Sequence, residues 1–382
     1  MLIRTKQRFE AGDRCNKVLR ATGFAGWLHA SSYTIIVGTC LFLALANVES
    51  EGQTSSSNPH PPGATGVAPP PATPNAAPAT QSSAATTASP PQSDEQPSGD
   101  GRDSSVFVFK KEVQEVILHA IVVDEQRRLV TDLGRSAFTV FEDGVRQTTT
   151  SFHRDDVPVA MGIVIDNSGS MRDKRPKVNQ AVLNLIRASN PNDEIFVVNF
   201  SQDSYLDQDF TCNVDLLQQA LQKVSEQGTT ALYDAVVASA VHLKNNQRVD
   251  RKVLLVITDG RDNASQETLQ EATRRLQQEN GPTLYAIGLL GDELRQSDIG
   301  ALKSLADSTG GVAFFPKALD EVDDITRTVA RDIRSQYTIG YAPNNPRQSS
   351  GYRTIHVAAQ APGYRALTVR TRSGYYPGES LR

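Results

Sequence analysis

Between residues 157 and 336, apolar runs typical of buried strands alternate with stretches whose apolar residues recur at helical spacing. Residues 159–165 form a nearly continuous apolar run, as in strands that are covered on both faces. Val178, Ala181, Val182 and Leu185 then follow at the spacing of one helix face. Repetition of this alternation with short connections predicts an α/β fold, a doubly wound and mostly parallel sheet with helices on both faces.

The segments on either side, 105–156 and 337–377, have the alternating pattern of β-strands instead. Residues 138–152 are typical of a hairpin, with Asp143-Gly144 at the turn. Short strand-like runs separated by Pro, Gly and Asn fill the second segment. Because each flank is small for an independent sheet, we expect both to pair into one β-sandwich-like unit with the α/β domain inserted between them.

The first 48 residues have the composition of an export signal. A basic start precedes an uncharged run at 31–48, and Ala44-x-Ala46 offers a cleavage site after Ala46. The same run just reaches membrane-spanning length, so an uncleaved anchor is the alternative. Residues 49–104 are rich in Pro, Ala, Ser and Thr, which predicts a disordered linker. The chain is therefore predicted to be exported, to a cell envelope, a periplasm or the medium, as in bacteria.

Charge and cysteine content narrow the function classes. The net charge of −4 combines about +4 in residues 1–46 with about −8 in the remainder, which argues against a nucleic-acid partner. Cys15 and Cys40 fall in the leader, and Cys212 is the only other cysteine. The sequence therefore predicts no disulfide within the body of the protein.

Five oxygen-bearing residues form the candidate site. They are Asp166, Ser168, Ser170, Thr230 and Asp259. The two aspartates each end an apolar strand, so both should emerge at the carboxyl edge of the sheet, where open α/β sheets bind ligands. If their strands are the first and fourth, they are neighbours in the common strand order. Carboxylates and hydroxyls without a nearby His or Cys suit Mg²⁺, with Mn²⁺ and Ca²⁺ as alternatives, rather than zinc.

The same residues resemble the von Willebrand factor type A domain. Asp166, Ser168 and Ser170 match its D-x-S-x-S loop, Thr230 matches its later threonine, and Asp259 matches its T-D-G aspartate. In that family these positions form the metal-ion-dependent adhesion site, and the resemblance covers about residues 157–336. The flanks are similar to VWFA-related proteins described from acidobacteria. The resemblance implies a metal-dependent module that binds an Asp or Glu carboxylate of a protein ligand.

Each element also has a purely structural interpretation. The serines and Thr230 could cap helices, and Asp259-Gly260 could form a turn; Thr229 is an alternative ligand to Thr230. A structural envelope protein with a stabilising metal is one alternative function, and a metal-dependent hydrolase is another. Hydrolysis lacks an evident base, because His242, the only histidine at 157–336, lies about 18 Å along the helix from Thr230. The sequence therefore favours a binding module over an enzyme.

Overall fold

The computed structural model describes residues 4–5, 115–223, 228–289, 295–344 and 351–378. Its strands are β1 (Arg4–Thr5), β2 (Val116–Val123), β3 (Phe138–Glu142), β4 (Val145–Gln147), β5 (Thr149–His153), β6 (Val159–Asp166), β7 (Glu194–Phe200), β8 (Ser204–Thr211), β9 (Arg251–Thr258), β10 (Thr283–Gly288), β11 (Ala313–Phe314), β12 (Tyr337–Tyr341), β13 (Arg353–Ala359), β14 (Thr368–Arg370) and β15 (Gly374–Tyr375). Its helices are α1 (Arg175–Ala188), α2 (Val214–Leu221), α3 (Leu232–Asn245), α4 (Leu269–Leu276), α5 (Gln296–Thr309) and α6 (Glu321–Arg334).

The central sheet has the strand order β1-β8-β7-β6-β9-β10-β11. β6 lies between β7 and β9 and is parallel to both. Among the described strands of this sheet, β7 and β8 are the one antiparallel pair. Apolar side chains of α1, α2 and α6 cover one face, and those of α3, α4 and α5 cover the other. The predicted doubly wound α/β fold is confirmed. The strand order also places the carboxyl ends of β6 and β9 side by side.

The two flanks pair with each other, as predicted. One four-stranded sheet has the order β14-β2-β12-β5 and the other β15-β13-β3-β4, so each sheet combines strands from both flanks. A shared core lies between them, with Leu118, Val140, Tyr337 and Ile339 completely buried. We call this unit the sandwich. The α/β domain is inserted in it between β5 and β12, which are themselves paired.

Polar residues fill the junction between the sandwich and the central domain. Arg251, at the start of β9, donates to the Ile333 carbonyl at 3.3 Å and to Thr338 Oγ1 at 3.1 Å. Arg370 pairs with Asp332 at 2.7 Å, which links β14 to α6. Direct side-chain bonds therefore connect the two parts of the molecule.

The structure differs from the sequence predictions in two places. β8 was not predicted, because its polar sequence does not show an apolar run. α3 begins at Leu232 with Ala231 as its N-cap, so Thr230 lies before the helix and does not cap it. Cys212 is disulfide-bonded. The other two cysteines lie outside the described residues, so the predicted absence of a disulfide within the body stays a prediction.

The predicted N-terminal segments fall almost entirely outside the described residues. The signal or anchor at 1–48 is described only at Arg4 and Thr5, which pair with Tyr205 and Leu206 of β8. The linker at 49–104 is not described at all. None of the helices in the described residues combines the length and the apolar character needed to cross a membrane.

Candidate functional site

The candidate site lies at the carboxyl edge of the central sheet, where β6 and β9 end. Asp166 is the last residue of β6, and Asp259 follows Thr258, the last residue of β9. Both aspartates are buried, as are Ser168 and Thr230. Adjacent parallel strands thus bring two carboxylates from sequence positions 93 residues apart to one place.

The serine loop joins the two aspartates through a chain of hydrogen bonds. Ser168 N–H donates to Asp166 Oδ1 at 2.8 Å. The Ser168 and Ser170 hydroxyls lie 3.2 Å apart, and Ser170 Oγ donates to Asp259 Oδ1 at 2.8 Å. Ser168 is the N-cap of a 3₁₀ turn but its side chain makes no capping bond. The serine hydroxyls therefore face the carboxylates instead of serving the helix.

Thr230 is held beside the same carboxylates by the loop that follows β9. Its N–H donates to Asn263 Oδ1 at 2.8 Å, and its carbonyl accepts from the N–H groups of Asn263 and Ala264. A Cβ added to Gly260 would lie 3.3 Å from Thr230 Oγ1 and 3.8 Å from Asp166 Oδ2. The bare Gly260 thus leaves room between the threonine hydroxyl and the aspartate.

The alternative threonine is placed differently. Thr229 is exposed, whereas Thr230 is buried beside Asp166. Thr230 does not cap α3, since it precedes the Ala231 N-cap. The geometry therefore favours Thr230 as the fifth site residue, and the five predicted side chains lie together.

The arrangement suits a hard divalent cation. Its oxygens come from two carboxylates and three hydroxyls, the ligand type that Mg²⁺, Mn²⁺ and Ca²⁺ prefer. No cluster of three or more His, Cys, Asp or Glu side chains placed to hold a metal occurs within the described ranges. Metal binding by Asp166, Ser168, Ser170, Thr230 and Asp259 therefore stays a prediction. The oxygen donors and the space beside Gly260 both agree with it.

Residues 161–328 match the family model described as the von Willebrand factor type A domain. This part of the chain is a type A domain. Such domains commonly mediate metal-dependent protein interactions through a metal-ion-dependent adhesion site, and they are generally interaction modules rather than enzymes.

Several solved structures are similar to the chain. A von Willebrand factor type A protein from Catenulispora acidiphila is 15% identical over 68% of this chain and 73% of its own, with a TM-score of 0.42. The PilB minor pilin of Streptococcus sanguinis is 14% identical over 47% and 62%, with a TM-score of 0.39. Proximal thread matrix protein 1 of the mussel byssus, in a form with a zinc-occupied MIDAS motif, is 18% identical over 49% and 48%, with a TM-score of 0.41. No curated protein matches the chain in sequence.

Three residues of the type A domain that the sequence did not single out also serve the site. Thr258 Oγ1 donates to Asp166 Oδ2 at 2.6 Å, and Asn263 fixes Thr230 as described above. Lys174, the N-cap residue of α1, forms an ion pair with Asp259 Oδ2. Thr258 directly precedes Asp259 in the T-D-G motif, and this position in the sequence could have identified it as a site residue. No sequence feature could have identified Lys174, because a lysine before a helix is ordinarily a surface residue.

Burial and charge act together on Asp166. Burial is the largest cause that raises the pKa of this carboxyl, and the nearby negative charge of Asp259 raises it further. Hydrogen bonds from Thr258 and Ser168 oppose the shift by stabilising the carboxylate. The type A domain thus confines two carboxylates where neutral hydroxyls, rather than several cations, are their main partners.

Proposed function

We propose that this protein is an exported, metal-dependent binding module of the adhesion type. In this proposal Asp166, Ser168, Ser170, Thr230 and Asp259 hold a divalent cation, with Mg²⁺ favoured over Mn²⁺ or Ca²⁺. A bound cation would supply an open coordination position for an Asp or Glu carboxylate of a protein ligand. Export to the envelope, or anchoring through residues 31–48, rests on the leader sequence alone.

The observation that carries this proposal is the composition of the site. Two buried carboxylates face three neutral hydroxyls, so the charge of these five residues only just balances that of a divalent cation. A cation in such surroundings remains an acceptor for one further anionic oxygen. In a partly dry interface that contact would contribute about 2–5 kcal/mol, by analogy with buried charge pairs.

A catalytic role has less support from the described residues. His242 forms a hydrogen bond with Asp209 at 2.9 Å and stacks on Phe210, so it belongs to a different part of the domain. Asp234 and Asp262 are the other acids near Thr230. Asp234 accepts the backbone N–H groups of Gln266 and Glu267, and Asp262 accepts that of Tyr233 at the start of α3. Their observed contacts account for them as loop supports.

The test compares metal uptake and ligand capture in matched variants. Titration calorimetry with Mg²⁺, Mn²⁺, Ca²⁺ and Zn²⁺ should show uptake by the wild type and by Thr229→Ala, and strong loss in Ser168→Ala, Thr230→Ala and Asp259→Ala. Immobilised wild type should capture partners from envelope extract in Mg²⁺ but not in EDTA. Blocking of that capture by amidation of the partners' carboxylates would identify the anchoring group.

The same experiment separates the alternatives. A purely stabilising metal predicts that EDTA lowers the melting temperature and leaves capture unchanged. A hydrolase predicts metal-dependent turnover of ester or phosphate substrates that disappears in Asp166→Ala. Full affinity for Mg²⁺ in both Ser168→Ala and Asp259→Ala would refute the proposed site.

A further inference from the structure

Lys174 pairs with one oxygen of the Asp259 carboxylate. Its Nζ donates to Oδ2, while Oδ1 accepts the Ser170 hydroxyl at 2.8 Å. Both oxygens of this carboxylate are therefore engaged by donors from the segment that links β6 to α1. Asp259 itself is buried, whereas about a fifth of the Lys174 side chain, 22%, is exposed to solvent.

This ion pair has a particular place in the charge balance of the site. In the described part of the chain, it is the only ion pair that reaches either Asp166 or Asp259. The two carboxylates repel each other at this edge, since Asp259 contributes to the raised pKa of Asp166. The ammonium of Lys174 thus supplies half of the positive charge that two ionised carboxylates require.

Lys174 also has the means to move. It stands at the N-cap of α1 in helical backbone conformation, so the helix fixes its backbone and not its amine. Lysine carries its charge on a flexible four-carbon stem and makes no bidentate bond that would resist exchange. Its partly exposed stem gives the ammonium a direct route from Asp259 to water.

We propose that the Lys174 ammonium and a divalent cation exchange at Asp259. This inference rests on the proposed function. Without the cation, Lys174 partly neutralises the buried carboxylates and supports the fold. With the cation, three positive charges would face two negative ones if Lys174 stayed, so repulsion displaces it to solvent. Lys174 therefore weakens cation affinity and sets the concentration at which the site is loaded, while the displaced ammonium adds positive charge at the rim that an acidic ligand approaches.

Calorimetric titration of Lys174→Met with Mg²⁺ tests the exchange directly. The variant keeps the side-chain volume and removes the charge, so its dissociation constant should be about five- to tenfold lower than that of the wild type. Its melting temperature should be lower than that of the wild type in EDTA and should rise more on addition of Mg²⁺. Lys174→Gln, which can still donate to Asp259 without a charge, should show the same tighter binding and serves if Lys174→Met does not fold.

Lys177→Met is the matched control. Lys177 lies on the same helix and forms an exposed ion pair with Asp320, outside the site. The Lys177→Met variant should bind Mg²⁺ like the wild type. This result would exclude a general loss of positive charge at α1 as the cause of tighter binding in the Lys174 variants. Equal or weaker Mg²⁺ binding in both Lys174 variants, with normal binding in the wild type, would overturn the exchange alone. Absence of Mg²⁺, Mn²⁺ and Ca²⁺ uptake in the wild type and the Lys174 variants would overturn the metal site and the exchange together.

Discussion

Two regions that bury carboxylates, the sandwich and the carboxyl edge of the central sheet, differ in how the charge of those carboxylates is balanced. In the sandwich, Glu142 Oε1 accepts Arg353 Nη1 at 2.7 Å, and its Oε2 accepts the hydroxyls of Tyr375 at 3.0 Å and of Tyr341. Burial, together with the adjacent carboxylate, raises the pKa of both tyrosines, so they remain protonated donors. This network joins strands of both sheets and matches the carboxylate with a buried guanidinium.

At the edge of the type A domain the negative charge of the buried carboxylates is only partly balanced by the protein. Asp166 and Asp259 bring two carboxylates together, and Lys174, from the partly exposed start of α1, is the cation paired with them. The Ser168 N–H and the hydroxyl groups of Thr258 and Ser170 satisfy the remaining oxygens without adding charge. A buried acid that is fully matched holds a fold together, whereas a pair of acids that is matched only in part keeps a place for a cation from outside.

The largest loss of stability should come from removing the negative charge of Glu142 in the sandwich. Glu142→Gln keeps the shape of the side chain but removes the carboxylate with which the buried Arg353 pairs. Breaking one side of a buried ion pair should lower the free energy of unfolding by about 3–5 kcal/mol. Urea unfolding followed by circular dichroism measures it, and a loss below about 1 kcal/mol would show that this network is not the structural member of the comparison.

A smaller loss of stability should follow acidification. It would extend the comparison from buried carboxylates to a histidine that the fold keeps uncharged. His119, in β2 at the junction, has its pKa lowered from 6.5 to about 3, first by burial and then by Arg251 and Arg372. The unfolded chain takes up the proton below pH 6.5 and the folded protein does not, so stability present above that pH is lost as the pH falls. Between pH 6.5 and 5 the loss should be about 2 kcal/mol.

His119→Gln supplies the check on that pH dependence. Urea unfolding of this variant at pH 6.5 and 5 should lack about 2 kcal/mol of the decrease seen in the wild type. His356→Gln, which alters an exposed histidine of the sandwich, should retain it. Parallel curves for His119→Gln and the wild type would assign the acid sensitivity to other groups.

The smallest change in stability should follow Asp166→Asn. In EDTA this substitution removes one of two repelling carboxylates, while the amide can still accept the Ser168 N–H and contact Thr258. The free energy of unfolding should therefore change by less than about 1 kcal/mol, in contrast to Glu142→Gln. Stabilisation by Mg²⁺ should disappear in the same variant. A loss as large as that of Glu142→Gln would make the two carboxylate clusters equivalent and break the comparison.

Much of the fold could be predicted because burial leaves a periodic trace in the sequence. β6 and β9 are apolar along nearly their whole length, and α1 carries its apolar residues on one face. β8 leaves no such trace, because it buries polar residues in hydrogen bonds. Asp207 accepts Asn199 Nδ2 at 2.8 Å, and Asn199 in turn accepts Arg175 Nη2 at 2.8 Å. Their burial follows from tertiary contacts, which periodicity does not report.

The candidate site could be predicted for a different reason. Asp166 and Asp259 each end a strand, and the topology of a parallel sheet alone brings such ends to one edge. The exact start of α3 could not be predicted, since Thr230 is a good capping residue by type and is placed by Asn263 instead. The pairing of Lys174 with Asp259 depends on the direction of one flexible side chain, which spacing along the sequence does not determine.

The insertion of one domain within another sets an order of events for the chain. Pairing of β5 with β12 joins residues about 185 positions apart, such as His153 and Thr338. In an unfolded chain, closing a loop of that length costs about 4–5 kcal/mol in entropy. A central domain that has already folded brings those two ends together beforehand and removes most of this cost. The two flanks should therefore pair into the sandwich only after the central domain has folded and brought their ends together.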